Sequence, residues 1–269
     1  MKYDISAACG CEIGRVRKNN EDNFLFDGKL LKEENGGQPA PLTAFYSKTE
    51  DTVFFCVFDG MGGEADGQVA SHMAAQEMKR MLDQRKQGSD PVDFLRDAVD
   101  QMNKKVGSRA EAELTRMGTT AVIGCFTGRR LIVCNVGDSR AFLVHRNKLR
   151  QVSTDHTDEA FLISQGITKR KPRLTQYVGL YEEDGDPVAS FYETTVSKGD
   201  TLLLCSDGIT DMVPEQEILR IINTFRTPVQ AVQTLIETAM QNGGRDNATA
   251  LLARIGPQEK RSIFGNKSK

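Results

Sequence analysis

Three apolar runs in this chain stop at an aspartate beside a glycine. Thr52-Val53-Phe54-Phe55-Cys56-Val57-Phe58 runs into Asp59-Gly60-Met61-Gly62-Gly63, Leu202-Leu203-Leu204-Cys205 into Ser206-Asp207-Gly208, and Leu131-Ile132-Val133-Cys134-Asn135-Val136 into Gly137-Asp138. Two further acidic clusters, Asn20-Glu21-Asp22-Asn23 and Gly243-Gly244-Arg245-Asp246-Asn247, precede apolar segments. A single Asp-Gly after a strand is ordinary turn chemistry. Five acidic points in one chain ask for another reason. Carboxylates gathered without cationic partners repel one another, so gathering them needs a cation. Donors that are all oxygen select hard ions, magnesium or manganese ahead of zinc or copper. The glycines remove side chains, so a ligand can come close to the backbone.

Strand ends must hold those acids. The run ahead of Asp59 is β-branched, aromatic and continuous, which predicts a strand buried on both faces. Residues 5–13 alternate and predict a first strand, and 24–26 a second; the polar stretch 28–51, with Gly36-Gly37, Pro39 and Pro41, is read as a surface excursion. After Gly67, the apolar positions Ala70, Met73, Ala74, Met78, Met81 and Leu82 recur at helical spacing. Asp90-Pro91 supplies an N-cap and a first-turn proline for a second helix, with Val92, Leu95, Ala98, Val99, Met102 and Val106 on its apolar face. Two strands follow, joined at Thr127-Gly128-Arg129-Arg130, then a hairpin turning around Asn147-Lys148. A short helix over 158–165 leads to an irregular segment, 167–178, whose basic residues 169–173 are read as a solvated loop. Strands return over 189–205, broken at Lys198-Gly199-Asp200, ahead of helices over 214–225 and 228–241 and a last strand over 247–255. This order is not βαβ alternation; it predicts an α+β fold with antiparallel sheets.

The chain has 269 residues, enough for one large domain, and neither a Pro/Ser-rich linker nor an internal repeat divides it. One domain over 1–255 is expected, with 256–269 as a charged, flexible tail. A net charge of −2 gives no electrostatic case for nucleic acid or for an acidic membrane surface. No stretch approaches the ~18 to 20 apolar residues of a membrane-spanning helix, and the N-terminus lacks an apolar signal region, so a cytoplasmic protein is expected. The six cysteines include no Cys-x-x-Cys and the three histidines are scattered, which argues against zinc and against a disulfide framework.

Taken in order, Arg17-Lys18-Asn19-Asn20-Glu21-Asp22, Val57-Phe58-Asp59-Gly60-Met61-Gly62-Gly63, Met117-Gly118-Thr119-Thr120-Ala121, Asn135-Val136-Gly137-Asp138-Ser139-Arg140, Cys205-Ser206-Asp207-Gly208 and Arg245-Asp246-Asn247-Ala248-Thr249 resemble the protein phosphatase 2C family, the metal-dependent serine/threonine phosphatases, in its short bacterial form. Each motif alone is weak; six in order, spread over residues 6–255, are specific. The resemblance implies a central β-sandwich of two antiparallel sheets flanked by pairs of antiparallel helices. It implies hydrolysis of phosphoserine and phosphothreonine in proteins by a metal-bridged water, with two Mn2+ or Mg2+ ions and a third, weaker one. Asp59 would bridge the ions, the Gly60 carbonyl, Asp207 and Asp246 would complete the ligands, and Asp138 with Asp207 would take the third. Glu21 and Asp22 would hold metal-bound waters, and Arg17 would bind the phosphate through its planar fork. Phosphoproteins, a cognate serine/threonine kinase and a monomeric state belong to the same expectation. In one respect the chain departs from many eukaryotic members: Met61 stands where they carry a histidine thought to donate the leaving-group proton.

Other readings compete. Cys9-x5-Arg15 and Cys11-x5-Arg17 match the loop of cysteine-dependent phosphatases, but no helix signal follows Arg15 to activate a thiolate. A metal-binding pseudophosphatase serving as a protein-binding module would show a lost ligand, and none is lost. A two-metal nuclease would show a basic groove, for which the charge balance gives no support.

Overall fold

The computed structural model describes residues 3–38, 40–47, 52–62, 66–167 and 170–256. The expected tail, from residue 257 onward, lies outside them, as do Pro39, Gly63 and Lys169. Two antiparallel sheets face each other. The first orders β3 (Leu42–Tyr46), β1 (Ile5–Glu12), β12 (Ala248–Ile255), β11 (Thr201–Cys205), β8 (Arg140–His145) and β9 (Lys148–Gln151). The second orders β10 (Ser190–Thr195), β7 (Arg130–Val136), β6 (Ala121–Thr127), β4 (Val53–Met61) and β2 (Asp22–Leu25), with the two-residue β5 (Gly118–Thr119) pairing the end of β4. Helices α1 (Asp66–Asp83) and α2 (Pro91–Glu113) cover the second sheet; α5 (Glu215–Thr224) and α6 (Pro228–Gln241) cover the first. Short α3 (Glu159–Ser164) and α4 (Asp207–Thr210) and a 3-10 turn over Glu182–Asp184 are the remaining elements among the described residues. This is the expected α+β sandwich with a helix pair outside each sheet.

Three apolar layers hold it together. Phe24, Phe26, Phe55, Val57, Phe126, Leu202, Leu204 and Leu251 fill the space between the sheets, with Phe26 and Phe55 stacked at 5.8 Å. Met78, Leu95, Met102 and Val106 pack from α1 and α2 onto Phe58, Ile123 and Ile132. Ile218, Ile221, Val232 and Leu235 pack from α5 and α6 onto Phe142, Leu203 and Leu252. Asp90 caps α2 as its sequence predicts, accepting from the Val92 amide at 2.8 Å and the Asp93 amide at 3.3 Å.

Three expectations shift. The excursion over 28–51 contains β3, a five-residue edge strand on β1 whose short apolar run, Leu42 to Tyr46, is enclosed in polar sequence. The β8–β9 turn lies one residue earlier than expected, at Arg146 and Asn147, with φ of 49° and 60°, the twist that two-residue hairpins favour. Asp207-Gly208 does not simply turn after β11; it opens α4. Among the described residues no helix is long and apolar enough to cross a membrane.

Candidate metal centre

The period of two along each strand decides which side chains meet. On β4, Val53, Phe55 and Val57 face the opposite sheet while Phe54, Cys56 and Phe58 face the helices. The next residue, Asp59, therefore points between the sheets. On β2, Phe24 faces inward and Leu25 outward, so Asp22 also points inward, and it is the register partner of Asp59. The first sheet answers with the same parity: Leu202 and Leu204 bring Ser206 inward, and Leu251 brings Thr249. Ser206 Oγ donates to Asp22 Oδ2 at 2.7 Å and Thr249 Oγ1 to the same oxygen at 2.6 Å. Asp22 is 1% exposed, and its Oδ1 is buried without a hydrogen-bond partner.

Backbone contacts fix the remaining acids. The Asp59 amide donates to Thr120 Oγ1 at 3.0 Å, and its carbonyl accepts from Thr119 Oγ1 at 3.0 Å and the Thr120 amide at 2.8 Å. Thr120 is held in turn by Ser139, hydroxyl to hydroxyl at 2.7 Å. Asn247 ties three segments together: its Oδ1 accepts the Glu21 amide at 2.7 Å, and its Nδ2 donates to the carbonyls of Ile13 and Asn19 at 2.8 and 2.9 Å. Two glycines are required by crowding. A Cβ on Gly60 would lie 2.0 Å from the Gly67 carbonyl oxygen, and one on Gly208 1.9 Å from that of Asn247. Close packing of α1 and of the Asn247 segment thus adds a reason for these glycines beyond ligand access.

Electrostatics mark the cluster as deficient in positive charge. Burial, followed by Asp22, Asp207, Asp138 and Asp246, holds the Asp59 carboxyl well above its ordinary 3.8. Burial raises Asp22 as well, against the two hydroxyl donors that favour its charged form. Asp138 is pushed up to about 6 by burial, then by Asp207 and Asp155. Two cations offset the cluster from its rim. Arg17 Nη2 lies 2.6 Å from Asp246 Oδ2, with Nη1 3.6 Å from Glu21 Oε2. Lys171 Nζ lies 3.2 Å from Asp207 Oδ2, so this largely exposed member of the basic segment also pairs with the acids. Among the described residues no three such side chains close on one ion-sized point. An all-oxygen donor set, mutual repulsion and an orphaned buried carboxylate oxygen together fit hard divalent cations.

All expected site residues, Arg17, Glu21, Asp22, Asp59, Gly60, Asp138, Asp207 and Asp246, lie in or beside this cluster. A cleft of about 390 Å³ lined by Arg17, Lys18, Asn19, Glu21 and Gly62 opens next to it. The larger cleft, about 960 Å³, includes Val53 and Thr127, at the other end of β4, about 20 Å from Asp59 by strand rise. Sequence reasoning missed Ser206, Thr249, Asn247 and Lys171. The first two were findable by continuing the inward parity of β11 and β12. The thiol alternative fails here: Cys9 and Cys11 lie buried inside β1, and burial pushes the Cys11 thiol up to about 12. The histidines are engaged elsewhere, His72 with the Leu31 carbonyl, His145 with Asp200, and His156 with the Gly137 amide and Ser190.

The model of the family described as "Protein phosphatase 2C" matches residues 7–160 and 185–248. The serine/threonine phosphatase stp of Listeria monocytogenes is 32% identical over 253 residues, covering 89% of this chain and 91% of that protein. Among solved structures, the serine/threonine phosphatase PstP/Ppp of Mycobacterium tuberculosis superposes with a TM-score of 0.75 at 26% identity over 94% of this chain and all of that one. The catalytic domain of PstP in complex with two manganese ions superposes with a TM-score of 0.73 at 27% identity, with coverage of 94% and 100%.

Proposed function

Since this chain belongs to the protein phosphatase 2C family, we propose that its inter-sheet carboxylate cluster is the metal centre that hydrolyses phosphoserine and phosphothreonine. The chain is a metal-dependent serine/threonine protein phosphatase acting on phosphoproteins. Asp59, the Gly60 carbonyl, Asp207 and Asp246 would hold two Mn2+ or Mg2+ ions, and Asp138 with Asp207 an outer one. When bound, the ions supply Lewis acidity toward the phosphoryl oxygens and an activated water at neutral pH.

The chain's own residues do the positioning. Ser206 and Thr249 fix one oxygen of Asp22, which leaves Oδ1 as a rigid acceptor aimed from a buried site. Glu21, held by Asn247, supplies a second acceptor for orienting water. Arg17 stands at the mouth of the adjoining cleft, where its paired N–H groups suit two oxygens of a phosphate. With Met61 in the strand and the histidines engaged elsewhere, no imidazole is available to protonate the leaving oxygen. The observation that carries this reading is the unpartnered Asp22 Oδ1 inside a set of mutually repelling carboxylates. Residues 1–255 are read as one catalytic domain, monomeric and cytoplasmic, opposing a serine/threonine kinase; a net charge of −2 is in keeping with protein rather than nucleic-acid substrates.

Hydrolysis of a phosphothreonine peptide with manganese, with and without chelator, tests the reading beside Asp246→Asn. The expected result is activity that requires manganese and falls by at least about a hundredfold in the variant. Activity that survives chelation but ends on thiol alkylation would overturn it.

A further inference from the structure

Residues 161–184 fall between the two stretches that match the family model, and they carry a cation aimed at the carboxylate cluster. Asp158 grips the chain on both sides of that cation. Its Oδ2 pairs with the Arg170 guanidinium, its Oδ1 accepts the Arg173 amide at 2.7 Å, and its own amide donates to the Arg173 carbonyl at 3.0 Å. The Thr175 amide adds a bond to the His156 carbonyl at 2.8 Å. Lys171 stands between the gripped arginines, with Pro172 stiffening the return. Its ammonium lies 3.2 Å from Asp207 Oδ2 and 3.6 Å from Asp211 Oδ2, and Asp138 feels the same charge.

Accepting the metal-centre reading above, we propose that Lys171 is a tethered internal competitor for the outer cation position made by Asp138 and Asp207. Asp207 serves both the inner and the outer position in that reading. Its oxygen facing Lys171 cannot bind a divalent ion and an ammonium group at full strength together. The inner ions are anchored by Asp59 and Asp246 as well, so the competition falls on the outer one. Binding there must displace Lys171, and with it the segment that Asp158 holds on both sides of it. Occupancy of the outer position is thereby coupled to the conformation of residues 170–173. Arg17 is not an equivalent competitor, because its guanidinium pairs with Asp246 and Glu21 rather than with Asp207.

Calorimetric titration of the chelator-stripped full chain with manganese chloride tests this. The wild type takes up two tight equivalents and a weak third. In Lys171→Gln the third equivalent tightens by about tenfold, worth about 1.4 kcal/mol; Lys171→Arg, which keeps the charge, stays near wild type; and adding Asp138→Asn to Lys171→Gln removes the gain. The Lys171 side chain is 70% exposed, so the two single variants fold, which a matching thermal midpoint in chelator checks; for the double variant the check is a cooperative transition no lower than that of the wild type. Two tight equivalents with a third that is unchanged or undetected in Lys171→Gln would overturn the role of Lys171 alone. A wild type that takes up no manganese would overturn the metal-centre reading and this one with it.

Discussion

Replacing Asp59 by Asn should make the metal-free protein more stable while destroying its activity. The Asp59 carboxyl is buried among Asp22, Asp207, Asp138 and Asp246, and its folded pKa is raised well above 3.8. The sign follows from linkage. A raised folded pKa costs the fold nothing below the unfolded value, and the cost grows as pH rises above it. Whatever the folded value, that cost cannot exceed about 4 kcal/mol at pH 7, at about 1.4 kcal/mol for each unit between 3.8 and 7. The amide of Asn is close in shape and carries no charge, but its burial has a cost of its own. The expected result in chelator at pH 7 is therefore a gain bounded by about 4 kcal/mol, at about 2 to 4 °C per kcal/mol for a chain of this size, fading to nothing near pH 4. Manganese should then stabilise the wild type and leave the variant nearly unmoved, while turnover falls by about a thousandfold or more, roughly 4 kcal/mol of transition-state stabilisation. Thermal unfolding at pH 7 and pH 4, in chelator and in manganese, measures each quantity. A variant less stable than wild type in chelator at pH 7, or an equal manganese shift in both proteins, would refute the reasoning.

Removing both hydroxyl donors to Asp22 with Ser206→Ala and Thr249→Val should cost about 2 to 4 kcal/mol in urea unfolding at neutral pH, because it leaves a buried carboxyl oxygen without either of its hydrogen-bond donors. Gly208→Ala should cost more than about 3 kcal/mol or prevent soluble expression, since its Cβ would lie 1.9 Å from a backbone oxygen of Asn247. With Asp138 pushed up to about 6, the chelated protein should gain stability as pH falls from about 7 to 4. This group contributes at most about 3 kcal/mol, and Asp138→Asn should flatten that part of the urea-midpoint profile.

Most of the fold could be read from local signals because those signals were strong. The continuous apolar run before Asp59, the Asp90-Pro91 start of α2 and the apolar stripes of α1 and α6 each specify one conformation. β3 escaped because five apolar-rich residues behind Pro39 and Pro41 are too short a run to stand out from the polar sequence around them until the partner β1 is known. The acids were legible as a group because their spacing repeats a strand-end pattern. Their supports were not, because Ser206, Thr249 and Asn247 reach Asp22 and Glu21 across more than 180 residues of sequence. No local signal shows which hydroxyl crosses between two sheets. The solvated reading of Lys171 agrees with its exposure, but its pairing was not legible, because the acids that it meets lie 36 and 40 residues further on.

The place of β12 has a consequence for how the protein comes into being. It lies in the interior of its sheet between β1 and β11, yet among the described residues it is the last strand in chain order. During synthesis both neighbours must wait with unpaired edges until residue 255 has left the ribosome. Asp246, Asn247 and Thr249 arrive with that strand, so every shorter nascent chain lacks one proposed ligand, the clasp on Glu21 and one of the two bonds to Asp22. Catalytic competence and closure of the first sheet are then a single late event, and unfinished chains are held inactive by topology alone. The same order leaves the β12-facing edge of β1 open through most of translation, which makes β1 the segment where chaperone binding or mispairing should concentrate.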